Sequence, residues 1–145
     1  MITVRHVLNQ KPRHLHHIHP DATVRDGLKT MAEHNIGALV VMDEGHVVGV
    51  ITERDYARKI VLMGRTSLET PVREIMTKRV IFARPEQSVE ESLAVMTARA
   101  VRHLPVLDQN TVIGLVSIGD LVKAVIADKE FIIEQLETYI QGDCR

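Results

Sequence analysis

The chain has 145 residues, 45% hydrophobic and 26% charged, which suits one compact domain with a core of its own. A net charge of −1 excludes a general pull toward nucleic acid or a membrane, and 3% aromatic content without tryptophan argues against a base-stacking surface. The one cysteine, Cys144, excludes a disulfide framework. No apolar run reaches membrane-spanning length and no signal-peptide core opens the chain, so the expected location is the cytoplasm.

In chain order, "HLHHI" after Pro12 alternates like a short strand. "DATVRDGLKTMAEHN" is predicted as a helix: Thr23 and Asp26 form a capping pattern, and Val24, Leu28 and Met31 fall at helical spacing. "GALVVM" is a buried strand, "DEGH" a tight turn and "VVGVI" the returning strand of a hairpin. "TERDYARKIVLMG" is a second helix that ends near Gly64. In "TSLETPVREIMTKR", Thr70 and Pro71 open a linker helix of one or two turns. Strand "VIFA", helix "SVEESLAVMTARA", strand "HLPVL", turn "DQN" and strand "TVIGLV" follow. A last helix runs from Ser117 to about Ile140, and its tail keeps Phe131, Ile132, Ile133, Leu136 and Ile140 apolar. Such a tail is expected to pack on its own chain or on a second copy.

The chain says the same thing twice. Aligning Gly49 with Gly114 sets an offset of 114 − 49 = 65, which pairs Thr52 with Ser117, Asp55 with Asp120, Thr23 with Ser88 and Met31 with Met96. No gap is needed from His19 to Val61. Each copy reads β-α-β-β-α, and the fold class is α+β. The expected division is a lead-in at 1–14, unit one at 15–66, a linker helix at 67–78, unit two at 79–127 and a helical extension at 128–145. Units this small bury too little alone and are expected to share a core.

"GVITERD" and "GLVSIGD" carry the chemistry. Thr52-x-x-Asp55 and Ser117-x-x-Asp120 are both capping boxes, which is a sufficient reason for either pair. They also follow a buried strand directly, so backbone N–H groups, a hydroxyl and a carboxylate gather at a helix start, which suits a phosphate or a sugar. Gly49 and Gly114 leave room for close approach. A carboxylate can accept from both hydroxyls of a ribose diol, and capping does not prevent it. The histidines His14, His16, His17 and His19 match no zinc spacing and read as a solvated edge. No metal site, nucleophile–base set or phosphate-binding loop is legible, and no enzyme is expected.

A glycine, two apolar residues, Thr or Ser, and an Asp three further on, repeated in tandem, resembles the CBS domain, named after cystathionine β-synthase. "ALVVMDEGHVVGVITERDY", "RHLPVLDQNTVIGLVSIGDLV" and the linker "VREIMT" carry the likeness over about residues 15–127. A pair of such domains is a Bateman module, and the short ending resembles free-standing bacterial CBS-pair proteins. The resemblance implies two units related by a pseudo-twofold, with clefts between their sheets for AMP, ADP, ATP, NAD(H) or S-adenosylmethionine. Carried over, Asp55 and Asp120 would hold ribose diols, and Thr52 and Ser117 would contact ribose or phosphate. Arg54, Arg58, Arg102 and His103 would meet phosphates, with the better phosphate site around Asp55. The base would lie against His19, Thr23, Gly37, Ala38 and Leu39 in one copy and Val80, Phe82, Leu104 and Pro105 in the other. The expected protein is a regulatory nucleotide sensor in signal transduction, a homodimer acting on a downstream protein, without metal, nucleic acid or membrane. The alternative is a structural homodimerisation module whose clefts bind nothing.

Overall fold

The computed structural model describes residues 1–12 and 14–140, the side chain of Ile140 aside, so Cys144 lies outside the described residues. The elements are α1 (Val4–Asn9), β1 (His17–Ile18), α2 (Val24–His34), β2 (Ala38–Asp43), β3 (His46–Thr52), α3 (Glu53–Tyr56), α4 (Val89–Arg99), β4 (His103–Asp108), β5 (Thr111–Ser117) and α5 (Ile118–Ile140). A π turn at Ala57–Val61 follows α3, and a 3-10 turn at Val72–Glu74 precedes α4. Contacts divide the chain into one unit of His14–Phe82 and another of Met1–Arg13 with Ala83–Arg145. The first contains Asp55 and the second Asp120.

In the Asp55 unit, Thr23 Oγ1 accepts from the Asp26 N–H and the Asp26 carboxylate accepts from the Thr23 N–H, so α2 starts in the expected capping box. Asn35 ends α2 in the left-handed conformation. β2 lies between β1, which runs parallel to it, and β3, antiparallel. Its residues Ala38, Leu39, Val40 and Val41 are all buried. The hairpin turns through Glu44 and Gly45, both at positive φ. Leu39, Val41 and Ile51 pack with Val24, Met31, Ile60, Val72 and Ile75.

The Asp120 unit repeats this in the same register: His103 pairs with Ser117 as Ala38 pairs with Thr52. The bulge recurs too, at Val106/Leu107 as at Val41/Met42. Ser88 Oγ accepts from the Glu91 N–H to start α4. Ser92, on the first turn of α4, is buried, and its Oγ makes no hydrogen bond among the described residues.

The ends of the elements differ from the sequence expectation for identifiable reasons. The lead-in contains helix α1, with Val4 and Val7 buried in the Asp120 unit. Its backbone bonds there: Val4 N–H to Gln87 O at 2.9 Å, Arg5 N–H to Pro85 O at 2.9 Å, and Val89 N–H back to Ile2 O at 2.9 Å. The linker does the same for the Asp55 unit, with Val72 N–H on Ala22 O at 2.8 Å and Arg73 N–H on Pro20 O at 2.9 Å. Those bonds hold the linker in an extended path, so the expected linker helix is only the turn at Val72–Glu74. "HLHHI" is a strand only at His17–Ile18, which pair with Val40 and Val41; His16, just before it, stacks on His34 with ring centroids 3.8 Å apart. "VIFA" contributes one isolated bridge, Ala83 to Val106. The second helix of the Asp55 unit begins as α3, continues as the π turn and ends at Gly64, whose φ is +67°.

α5 runs for 23 residues. Phe131, Ile133, Leu136 and Tyr139 are more than half exposed along it.

Three glycines have sharply different surroundings. A Cβ on Gly27 would meet Ile18 at 3.5 Å, ordinary contact inside a helix. A Cβ on Gly49 would lie 2.7 Å from Met76 Sδ and 2.9 Å from the carbonyl of Thr77, a residue fixed by two backbone bonds with Val50. On Gly114 the clash, 2.6 Å, is with the movable Leu8 side chain. Thermal denaturation is therefore expected to rank the variants. Gly27→Ala raises stability by about 1 kcal/mol. Gly49→Ala lowers it by about 1–3 kcal/mol, and Gly114→Ala by less.

Candidate functional site

Each unit ends its hairpin in an extended residue with a hydroxyl and begins a helix at once. In the Asp55 unit, Thr52 Oγ1 accepts from the Asp55 N–H at 3.0 Å. Asp55 Oδ2 accepts from the Thr52 N–H at 3.0 Å and the Thr52 hydroxyl at 3.1 Å. The capping box expected of this pair is therefore complete. Asp55 Oδ1 faces Lys59 Nζ at 3.1 Å and the Thr77 hydroxyl at 3.4 Å. Lys59 also donates to Ile75 O at 2.8 Å, so the buried carboxylate has its cation from one turn along its own helix.

The Asp120 unit keeps the box and changes the cation. Ser117 Oγ accepts from the Asp120 N–H at 3.1 Å, and Asp120 Oδ2 from the Ser117 N–H at 2.9 Å. The cation is Lys11, from the segment after α1, with Nζ 2.7 Å from Asp120 Oδ2 and 2.8 Å from Leu115 O. Burial works to raise the Asp120 pKa, but the bonds from Lys11 and Ser117 and the Lys11 charge outweigh it, and the carboxyl is held below the usual range. His103, at the start of β4, is shifted down by burial first; Asp120 opposes this, and Lys11 and Arg102 add to it.

The other expected contacts fall at different depths. The Gly37 carbonyl accepts from the Glu53 N–H at 3.1 Å and the Arg102 carbonyl from the Ile118 N–H at 2.9 Å, so both already hold helix starts. Ala38, Leu39 and Leu104 are at most 1% exposed, which leaves their backbone rather than their side chains for any ligand. Pro105 is buried beside Leu104. Thr23 is engaged as the cap of α2. His19 sits 3.3 Å from Asp43 and accepts from the Asp21 N–H through Nδ1 at 3.0 Å. Arg54, Arg58, Arg102 and Phe82 are exposed, whereas Val80 is half-buried. Val80 and Phe82 belong to the Asp55 unit. Among the described residues no group of three or more His, Cys, Asp or Glu is placed to hold a metal ion, and no helix is long and apolar enough to cross a membrane. Sequence reasoning missed Lys59, Thr77 and Lys11. Lys59, four residues after Asp55, had a helical-spacing signal; Lys11 had none.

Beside Asp120 lies a groove of about 1040 Å³ between α1 and α5, lined by Thr3, His6, Lys11, Lys123 and Phe131 among others.

The profile of the CBS domain matches this chain twice, at residues 2–62 and 72–127. A mitochondrial CBS domain-containing protein of Arabidopsis thaliana, CBSX3, is 45% identical over 127 residues; these cover 84% of this chain but 62% of the plant protein. A solved CBS-domain structure from Burkholderia ambifaria is 51% identical, with a TM-score of 0.84, covering 87% of this chain and 95% of that one. The CBS domain pair of protein MJ0100, solved with 5′-methylthioadenosine and S-adenosyl-L-methionine, is 25% identical with a TM-score of 0.78, covering 88% of this chain and 98% of that one.

The electrostatics of Asp120 give a pH signature. A carboxyl with a folded pKa below its unfolded value, about 3.9, contributes stability above that value and loses it as pH falls through the folded pKa. The advantage of wild type over Asp120→Asn is thus expected to be full above about pH 4 and to shrink on further acidification. Denaturant titrations at stepped pH measure this; an advantage independent of pH would contradict the arrangement.

Proposed function

We propose a function from one premise: this chain belongs to the CBS domain family, as a tandem pair of α+β CBS units. Our reading is a regulatory module that binds an adenosine compound and is not itself an enzyme. The observation that carries it is the hydroxyl–carboxylate box, present in both units with the same two backbone bonds, in a chain similar to a CBS pair solved with two adenosine compounds. Neither of those compounds has a phosphate, so what they share with AMP, ATP and NAD(H) is the base and the ribose diol.

In this reading Asp55 and Asp120 each accept from a ribose diol. Thr52 and Ser117 add a hydroxyl, and backbone edges at Gly37–Leu39 and His103–Pro105 meet the base, with His19 and Thr23 closing it in the Asp55 unit. Arg54, Arg58, Arg102 and His103 select phosphate-bearing ligands. A bound ligand biases the assembly toward the arrangement that binds it more tightly, which is how a module without chemistry passes a signal to a partner protein. The cytoplasm is the compartment we propose for it.

Ligand at one hundred times its dissociation constant adds about 2.7 kcal/mol of stability, roughly 5–10 °C in melting temperature. Melting with 5′-methylthioadenosine, AMP, ATP and NADH is expected to show such a shift with at least one. Asp55→Ala and Asp120→Ala should each weaken calorimetric binding at one site by on the order of a hundredfold. No shift and no heat with any of the four would overturn the reading.

A second reading rests on α5, whose exposed Phe131, Ile132, Ile133 and Leu136 form too apolar a surface for a lone helix. We propose that it joins two copies. Truncation after Asp128 is expected to lower the solution mass by light scattering; an unchanged mass would rule this out.

A further inference from the structure

The two carboxylates take their cations from different places. Lys59 reaches Asp55 from the same helix at 3.1 Å, whereas Lys11 reaches Asp120 at 2.7 Å from a segment far away in sequence. Each carboxylate oxygen offers about two lone-pair sites. Asp120 Oδ2 already accepts from the Ser117 N–H and from Lys11. The Ser117 bond is part of the cap and stays with the helix. A diol that grips both carboxylate oxygens must therefore take the place of Lys11.

We propose that Lys11 is a gate on the Asp120 site: an adenosine ligand there displaces the ammonium from Asp120 and loosens the N-terminal segment that carries it. The inference rests on the ribose reading above. The segment is well placed to respond. Lys11 follows α1 by two residues, α1 lies against β5 through Leu8 and Gly114, and the groove beside it opens on Asp120. Linkage makes the effect reciprocal: whatever pins the N-terminal segment weakens the ligand, and the ligand loosens the segment. Asp55 is occupied as well, but by Thr52, by Lys59 of the helix that carries it and by Thr77 of the linker, so a ligand there would act on the linker and not on the N-terminal segment. The two repeats thus answer to different segments.

The test isolates the Asp120 site in an Asp55→Asn background and adds Lys11→Met, which keeps the aliphatic stem and removes the charge. Calorimetry with 5′-methylthioadenosine is expected to show binding about two- to fivefold tighter in the double variant, the range of a partly exposed ion pair. Hydrogen exchange on the wild-type protein supplies an independent reading: amides of residues 4–9 should exchange faster with ligand than without. Binding to the Asp55→Asn protein that is unchanged or weaker after Lys11→Met, or exchange at 4–9 that slows on binding, overturns the gate and leaves the ribose reading intact. No binding of 5′-methylthioadenosine to any of the proteins, wild type included, overturns both.

Discussion

Everything that could act in this protein hangs on a carboxylate at the third position of a helix, bonded back to the residue that ends a buried strand. Asp55 and Asp120 each close that junction, and each is bonded to the N–H of its own cap, Thr52 or Ser117. The bond places a carboxylate where a strand stops and a helix begins, beside the N–H groups of the first turn. The tight hairpin behind it, β2–β3 or β4–β5, sets the cap residue opposite the first residue of the partner strand. Capping and the proposed ribose grip would therefore use the same atoms in the same place.

What separates the two boxes is the source of positive charge. Around Asp55 it is local: Lys59 is fixed by its helix and by the Ile75 carbonyl, and Thr77 arrives with the linker that pairs with Val50. Around Asp120 it comes from the segment after α1, itself held by Val4 and Val7 in the core and by backbone bonds to Pro85 and Gln87. The repeat keeps the geometry and changes the wiring, so the proposed ligand would have different consequences in the two units.

The helices and hairpins were legible because their signals are local and doubled. Thr23 with Asp26, the turn at Glu44–Gly45 and the returning strand β3 recur in the second copy without a gap, and tandem recurrence of T/S-x-x-D pointed to the family. The lead-in was not legible as part of a unit. Val4, Arg5, Val7 and Leu8 correspond to Val72, Arg73, Ile75 and Met76 in where they bond and pack, but they lie outside the spacing that aligns the rest, and each is a short run without a strong period. "VIFA" failed as a strand for a similar reason: apolar content alone does not supply a neighbour, and only Ala83 reaches Val106. Lys11 could not be found because a salt bridge across so much sequence leaves no periodic trace.

The central claim is that the capping carboxylates are also the ribose-binding groups. A crystal structure of the protein with 5′-methylthioadenosine tests it most directly. The account expects the two ribose hydroxyls about 2.5–3.0 Å from the carboxylate of Asp55 or Asp120, with the base against the start of β2 or β4. A ligand bound elsewhere, with both carboxylates still bonded only within their boxes and to Lys59 and Lys11, would contradict it.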